Sequence, residues 1–378
     1  MVSRLNFRIV WSILISLSLL PESSPAQPTV LSAVESRISR FRIDHPESSL
    51  AFGFLEGEKS RELFFADQTS GQQPDTATVF RLGRLTALWT TTMLVSCSQQ
   101  GLLSLDAPVS DYLPVNVPSP VYQRLVCQPV KRTEQTPSLD DPRFTPYACL
   151  PDPSDKPQPI LLCYLSTHTS GLPDQPFTLE RKNGVPDYPG FTVGSLYKFL
   201  SIYRIEQPIG FDYVHSDLGM VLLGHVIQRK TGQTLDSVFR QEVALPLGLT
   251  SSRLLTGTEP GEYGLYAAAI GGEASFADLL RYLRFNLHPA GKIGQVMEYM
   301  HTPRVRIREH EEIALGWHCR TFEGNGRRVL YMNGSESGQT VMMVLEESGK
   351  SGFVLAGTGT GLSELGDQLL SLLYSKPE

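Results

Sequence analysis

The amino-acid sequence predicts an α/β fold plus an α unit, in which an antiparallel sheet flanked by helices is interrupted by an inserted helical domain. Apolar runs typical of strands lie near both ends of the 378-residue chain, and helical periodicity dominates between them. Strands at the two ends can bury their apolar faces by pairing in one sheet, covered by the first and last helices. The predicted division is a discontinuous sheet domain, residues 27–83 and 300–378, and a helical domain, residues 84–299.

The N-terminal elements follow from the spacing of apolar residues. Intervals of three and four indicate helices, and short apolar runs between polar turns indicate strands. Gly101 is a typical C-terminal stop for the second helix. The predicted elements are a helix over residues 30–43, strands over 49–55 and 62–66, an extended run over 79–82 and a helix over 84–100.

The middle of the chain is predicted to be helical and the C-terminal part returns to strands. Between them, residues 125–159 form a polar, proline-rich loop inserted in the helical domain. The predicted helices are 195–203, 216–230, a further one that Thr234 caps, 274–285 and the closing helix 362–374. The predicted strands are 313–319, 328–332, 340–346 and 352–357.

The first 26 residues have the features of a secretory signal peptide. Arg4 and Arg8 precede an apolar stretch, residues 9–20, which is too short to span a bilayer comfortably. Ser24 and Ala26 are small residues in the positions that a signal peptidase requires. We therefore expect cleavage after Ala26, a secreted or periplasmic protein, and no membrane span after cleavage.

Export makes disulfide bonds possible for the five cysteines. Cys127 and Cys149 both lie in the 125–159 loop, and we expect them to form a disulfide bond. Cys163 is the alternative partner that could replace one of them. Cys97 falls on a helical apolar pattern and Cys319 in a strand-like run, so both are predicted to be buried thiols.

Composition excludes several classes of partner. The formal charge is −6, and no block of lysine or arginine is present to bind nucleic acid or an anionic membrane. The eight histidines show no metal-binding spacing, and the glycine clusters follow no phosphate-loop pattern. We therefore expect no cofactor and no metal.

Several segments, in order, resemble the serine β-lactamase / D,D-peptidase family, particularly its class C and esterase-like branch. Residues 79–114 resemble the nucleophile helix and the loop after it, and 165–173 (LSTHTSGLP) resemble a segment that contains HTSGLP. Residues 210–232 (GFDYVHSDLGMVLLGHVIQRKTG) resemble the segment with a Tyr-x-Asn motif. Smaller matches are PLGL at 246–249, LGW at 315–317 and residues 334–338, where the third motif lies.

The reacting groups of that family are replaced in this chain. The resemblance implies a Ser nucleophile with a Lys three residues later, a Tyr that shares the general-base role, and a Lys or His that holds the substrate carboxylate. The oxyanion is held by backbone N–H groups. The aligned positions hold Arg84 for the Ser, Ala87 for the Lys, His215 for the Tyr, Asp217 for the Asn and Met332 for the third-motif cation, with Gly334 retained.

These replacements predict an inactive homologue. Arginine cannot act as a nucleophile and alanine cannot relay a proton. The expected cleft residues are Arg84, His215, Asp217, Gly334 and Ser335, and the expected ligand is a peptidoglycan-like peptide or a protein partner. Two alternatives remain open, namely an esterase or peptidase that uses other cleft residues, such as His215 and Asp217, and a non-catalytic scaffold.

The chemistry of the side chains predicts a partner for Arg84 and the environments of Lys198 and His168. A buried Arg84 needs an anion, and Asp217 is the nearest by resemblance, so we expect the two to lie within ion-pair distance, with His215 in the same cleft. The literal S-x-x-K match at 195–198 falls in the helical domain, where we expect Lys198 to be solvated. His168 is predicted to have a structural role.

Overall fold

The computed structural model describes residues 30–129, 147–259, 262–348 and 350–376. The predicted signal peptide therefore lies outside the described residues. The helices are α1 (Val30–Asp44), α2 (Thr86–Gln99), α3 (Leu162–Ser166), α4 (Val193–Ile202), α5 (Asp217–Thr231), α6 (Leu235–Phe239), α7 (Leu245–Leu247), α8 (Ala267–Ile270), α9 (Phe276–Leu287), α10 (Gly291–Met300) and α11 (Leu362–Tyr374). Short 3-10 turns span Gly83–Leu85, Val109–Tyr112 and Gly264–Tyr266, and a wider helical turn spans Arg240–Ala244.

The strands fall into one large sheet and several small ones. Their bounds are β1 (Ser49–Glu56), β2 (Lys59–Phe65), β3 (Val79–Arg81), β4 (Val121–Tyr122), β5 (Leu125–Pro129), β6 (Tyr147–Pro151), β7 (Gln158–Pro159), β8 (Arg181–Lys182), β9 (Val185–Pro186), β10 (Ser252–Leu254), β11 (Gly272–Ser275), β12 (Val305–Arg308), β13 (Glu311–Ile313), β14 (His318–Thr321), β15 (Arg328–Glu336), β16 (Gln339–Glu346) and β17 (Ser351–Thr358).

The large sheet joins the two ends of the chain. Its strand order is β12-β13-β14-β15-β16-β17-β1-β2, and every neighbouring pair is antiparallel. Strand β1 lies between β17 and β2, so the N-terminal hairpin completes a sheet built mainly from C-terminal strands. This arrangement, with helices on both sides, confirms the predicted fold class.

Alternate residues of the sheet enter two separate apolar clusters, as the two-residue period of a strand requires. Phe52 and Phe353 face α1 and α11, and their rings lie 5.5 Å apart. Ala51 and Val354 belong to the larger cluster on the opposite face, which α9 covers and which continues through the helical region. Helix α2 is central to that cluster, because nearly all its side chains are buried.

One predicted strand is wrong in its middle. Residues 313–319 form the end of β13, a turn and the start of β14 rather than one strand. Gly316 has a φ of +78°, a backbone conformation that glycine adopts without strain, and the Ala314 N–H donates to the Trp317 carbonyl at 2.8 Å. The chain therefore reverses inside an apolar run that has no polar turn residues to signal it.

The 125–159 segment carries two paired antiparallel strands where the sequence predicts a loop. Strands β5 and β6 pair Cys127 opposite Cys149, and a disulfide joins these two cysteines, the pair expected from the sequence. The other cysteines, Cys97, Cys163 and Cys319, are free and buried. Burial raises the pKa of the Cys163 thiol to about 11, so this thiol stays protonated near neutral pH.

Candidate functional site

The turn before α2 brings the position of the expected nucleophile against the sheet. Arg84 lies in the 3-10 turn, and Ala87 is buried one turn further on. Gly83 has a φ of +50°, and a Cβ there would lie 2.6 Å from the Ser335 carbonyl oxygen. Only glycine allows the main chain of this turn to approach β15 so closely.

The third segment supplies the opposite side of that contact. A Cβ on Gly334 would lie 2.5 Å from the Leu85 nitrogen and 2.8 Å from the Arg84 nitrogen. Ser335 is exposed, and its hydroxyl lies 2.9 Å from that of Thr340 on β16. Met332, at the expected cation position, is only 4% exposed. The main-chain scaffold of the cleft is therefore present without the third-motif cation.

Arg84 is held by two carboxylates. Its Nη2 donates to Asp174 Oδ2 at 2.9 Å, and its Nε lies 3.6 Å from Asp217 Oδ1, within the ion-pair distance predicted from the sequence. His215 Nε2 lies 2.8 Å from the same Asp217 oxygen and 3.6 Å from Asp174 Oδ1. The side chain of Asp217 is 5% exposed, whereas those of Arg84 and Asp174 are 45% and 43% exposed.

The first turn of α5 explains the position of Asp217. Ser216 caps the helix by accepting the Gly219 N–H, and its hydroxyl donates to the Pro173 carbonyl at 2.7 Å. Asp217 is the first residue of α5, where the helix dipole stabilises a negative charge. Its backbone N–H donates to Asp174 Oδ1 at 3.2 Å, so α5 and the 173–174 segment form one unit.

Asp174 was not among the residues predicted from the sequence, although it follows the HTSGLP segment directly. The signal that could have found Asp174 is an acidic residue directly after the HTSGLP segment, which packs against the N-terminus of α5.

Behind the ion pairs lies a layer of buried aromatic rings. His168 accepts the Ser216 N–H on Nδ1 at 3.2 Å, and its ring lies 4.5 Å from that of His215. Burial holds the pKa of His168 well below its usual range, and the neighbouring His215 is the second largest cause of this lowering. His168 is therefore neutral near pH 7, and its hydrogen bond from Ser216 ties it to the N-terminus of α5. Tyr213 continues the layer, with its hydroxyl 3.3 Å from His318 Nε2.

Three tyrosines line the other side of the cluster. The ring centroid of Tyr188 lies 4.6 Å from that of Tyr266 and 6.0 Å from that of Tyr263. Burial raises the pKa of Tyr188 to about 12, and the nearby charges of Asp217, Glu336 and Asp174 act in the same direction. A groove of about 750 Å³ lies between β3, β10 and the wide helical turn, and its lining includes Arg81, which donates to the Tyr263 hydroxyl, but neither Arg84 nor the three tyrosines.

The cluster also has the atoms of a cation site. One oxygen from each of Asp174 and Asp217 and a nitrogen of His215 lie within 4.8 Å of one another. The Arg84 guanidinium already binds both carboxylates, so the positive charge at this place comes from the chain itself. Lys198 of the literal S-x-x-K match is exposed on α4, as expected for a residue outside the cleft.

Comparison with known proteins identifies the family. The Beta-lactamase family profile matches residues 35–370. The chain belongs to the Beta-lactamase family. Among solved structures of the same fold, a β-lactamase/D-alanine carboxypeptidase from Yersinia pestis, complexed with citrate, superposes with a TM-score of 0.69 at 17% identity, covering 90% of this chain and 98% of that one. A class C β-lactamase from Rhodobacter sphaeroides gives a TM-score of 0.66 at 19% identity, covering 90% and 99%.

A relative in sequence is the D-alanyl-D-alanine-carboxypeptidase/endopeptidase AmpH of Escherichia coli K12. It is 25% identical over 229 residues, which are 56% of this chain and 50% of AmpH. The chain therefore spans about half the length of that relative. Within the described ranges, every helix of this Beta-lactamase family member is too short or too polar to cross a bilayer.

Proposed function

We propose that this Beta-lactamase family member is an exported, non-hydrolytic protein that binds a peptidoglycan-type peptide in the cleft at Arg84. The observation that carries the proposal is the ion pairing of Arg84, at the nucleophile position, with Asp174 and Asp217. The name of AmpH, a D-alanyl-D-alanine carboxypeptidase/endopeptidase, supports a peptide as the ligand.

The acyl-enzyme route needs groups that these positions do not offer. A guanidinium stays protonated and has no lone pair with which to attack a carbonyl. Ala87 has no atom that accepts a proton, and Met332 carries no charge to hold a substrate carboxylate. Without a nucleophile and its base, what remains is the contribution of backbone donors and ligand binding.

A hydrolase that uses His215 and Asp217 is the second candidate. The 2.8 Å contact between them favours it, because a carboxylate orients an imidazole for general-base work. The other close contacts of His215 are a second carboxylate and the ring of His168. This arrangement offers His215 no hydroxyl nucleophile among its described contacts, so such an enzyme would have to activate water.

The proposal is tested by covalent labelling of the purified protein. We expect neither a fluorescent penicillin nor a fluorophosphonate to form an adduct, because no activated serine is present at position 84. AmpH from Escherichia coli, tested in parallel, controls for the penicillin. A labelled peptide mapped to any Ser or Thr of the cleft would overturn the proposal, and turnover of an ester substrate that His215→Gln abolishes would favour the second candidate.

Restoring the first motif alone is expected to leave the protein inactive. In the Arg84→Ser, Ala87→Lys double variant, His215 and Met332 still stand where the family has its tyrosine and its third-motif cation. Catalytic groups of this kind act as a unit, so two of them recover little of the rate. Nitrocefin and ester turnover should stay at the level of the wild-type protein. Turnover well above that level would show that the cleft needs only these two groups.

A further inference from the structure

The charges around Arg84 differ in sign from those that a carboxylate ligand needs. Met332 removes the cation of the third motif, and it is buried. Arg84 is paired with Asp174 and Asp217, and Glu273 lies 3.5 Å from Arg81 and 3.0 Å from Arg253. Glu336, at the end of β15, interacts with Arg81 and with Tyr263. These four carboxylates outnumber the three guanidinium groups, so a carboxylate ligand would meet an excess of negative charge.

Asp174 is the carboxylate that a ligand can reach. Its side chain is 43% exposed and that of Arg84 is 45% exposed, so their pair is of the solvent-facing kind, which is weak. Asp217 is 5% exposed and is also bonded to His215. An incoming cation can therefore take the place of the Arg84 guanidinium at Asp174 while Asp217 keeps its own partners.

The tyrosines supply a second feature that suits a cation. Tyr188 is half-buried and stacks near Tyr266 and Tyr263, and ring faces attract ammonium groups. The hydroxyl of Tyr266 is fully buried and has no hydrogen-bond partner among the described residues. Burial raises the pKa of that phenol, and the charges of Asp217 and Asp174 act in the same direction. The ring that packs against Tyr188 therefore carries a buried polar atom that is left unsatisfied.

We propose that the cleft recognises a protonated amine on its ligand, with Asp174 and Glu336 as the charge partners and Tyr188 as the ring against which the ligand packs. The ligand class is a peptide with a free side-chain ammonium group. This inference rests on the proposed function and specifies which part of the peptide is bound.

Three peptides that differ only in charge test the inference by calorimetry on the full chain. The first is Nα-acetyl-lysyl-D-alanyl-D-alanine amide, which is cationic. The second is anionic because its lysine side chain is acetylated and its C-terminal carboxylate is free, and the third is neutral because its lysine side chain is acetylated and its C-terminus is an amide. We expect the cationic peptide to bind about fivefold to tenfold more tightly than the neutral one, as one ion pair with a cation–π contact allows, and the anionic peptide to bind most weakly.

Variants of the cleft separate the roles of its charges. Asp174→Asn and Glu336→Gln should each lower the ratio of cationic-peptide affinity to neutral-peptide affinity about threefold or more. Arg84→Gln removes the competing guanidinium and should tighten binding of the cationic peptide. Glu364→Gln, an equivalent change at an exposed position of α11, is the matched control and should alter nothing.

The outcomes distinguish this inference from the function on which it rests. Tighter binding of the anionic peptide or weaker amine binding in Arg84→Gln would overturn the inference alone, whereas no binding of any of the three peptides would overturn the proposed peptide ligand together with it. Tighter binding of the anionic peptide would leave a non-hydrolytic binding cleft intact. Covalent labelling by the penicillin would overturn the proposed function instead, whichever peptide binds best.

Discussion

Gly334→Ala is expected to destabilise the protein by at least about 3 kcal/mol, at the upper end of what overpacking costs. The added methyl group would overlap the Leu82 carbonyl oxygen and lie 2.5 Å from the Leu85 nitrogen. These are backbone atoms of the turn that carries Arg84, so no side-chain rotation can relieve the contact. The structure can respond only by moving β15 away from the turn, which also disturbs the Arg84 ion pairs.

Urea unfolding followed by circular dichroism measures this loss. Gly194→Ala is the matched control, because the nearest atom to its new Cβ would be Thr192 Oγ1 at 3.6 Å and the residue lies in α4. Alanine favours a helix over glycine, so the control should be neutral or slightly stabilising. An equal, small change in both variants would mean that β15 does not press on the turn as described.

The backbone geometry of the turn and the proposed absence of hydrolysis are compatible because they depend on different atoms. Gly83 and Gly334 are required by backbone contacts between the turn and β15, which hold whatever side chain stands at position 84. We therefore expect substitution of Arg84 to leave the fold unaffected, whereas substitution of either glycine should disturb it.

Most of the fold could be predicted from the sequence because its elements have strong local patterns. The pairing of β1 with β17 followed from strands that needed partners at both ends of the chain. The pairing of β5 with β6 and the turn at Gly316 could not be predicted in the same way. The first lies in polar sequence without periodicity, and the second depends on one backbone conformation inside an apolar run.

Only part of the candidate site could be predicted from the sequence. Arg84 and Asp217 could be paired because the resemblance places both at motif positions, but the premise that Arg84 is buried was wrong, since its side chain is 45% exposed. Asp174 lies in a turn, and Tyr188 and Tyr266 come from segments far apart in the chain, so no spacing connects them. They lie close together because α5, the 173–174 segment and the segments that carry the two tyrosines pack in the tertiary structure.

The second large effect expected is a loss of stability in acid, caused by the half-buried His318 and the buried His225. Desolvation lowers the pKa of His318 from 6.5 to about 4 against the opposing charge of Glu311, and His215 and Arg320 lower it further. The folded state therefore binds the proton more weakly than the unfolded state. Stability is greatest above the unfolded pKa, near 6.5, and falls as the pH drops through the window down to about 4, by about 3 kcal/mol for this residue. His225, with a pKa lowered to about 4 by burial, contributes with the same sign.

Urea unfolding at about pH 7.5 and about pH 4.5 isolates this contribution when wild type and His318→Gln are compared. Glutamine does not titrate, so the free energy of unfolding of the variant should fall by about 2 to 3 kcal/mol less than that of wild type between the two pH values. At the higher pH the variant should be less stable than wild type, because it lacks the contact of His318 with Tyr213. His310→Gln, on the turn between β12 and β13, controls for the substitution itself. An identical pH dependence in wild type and His318→Gln would contradict the prediction. Since Tyr213 and His168 connect His318 to His215 and the Arg84 ion pairs, protonation of this layer is expected to loosen the cleft before the rest of the sheet.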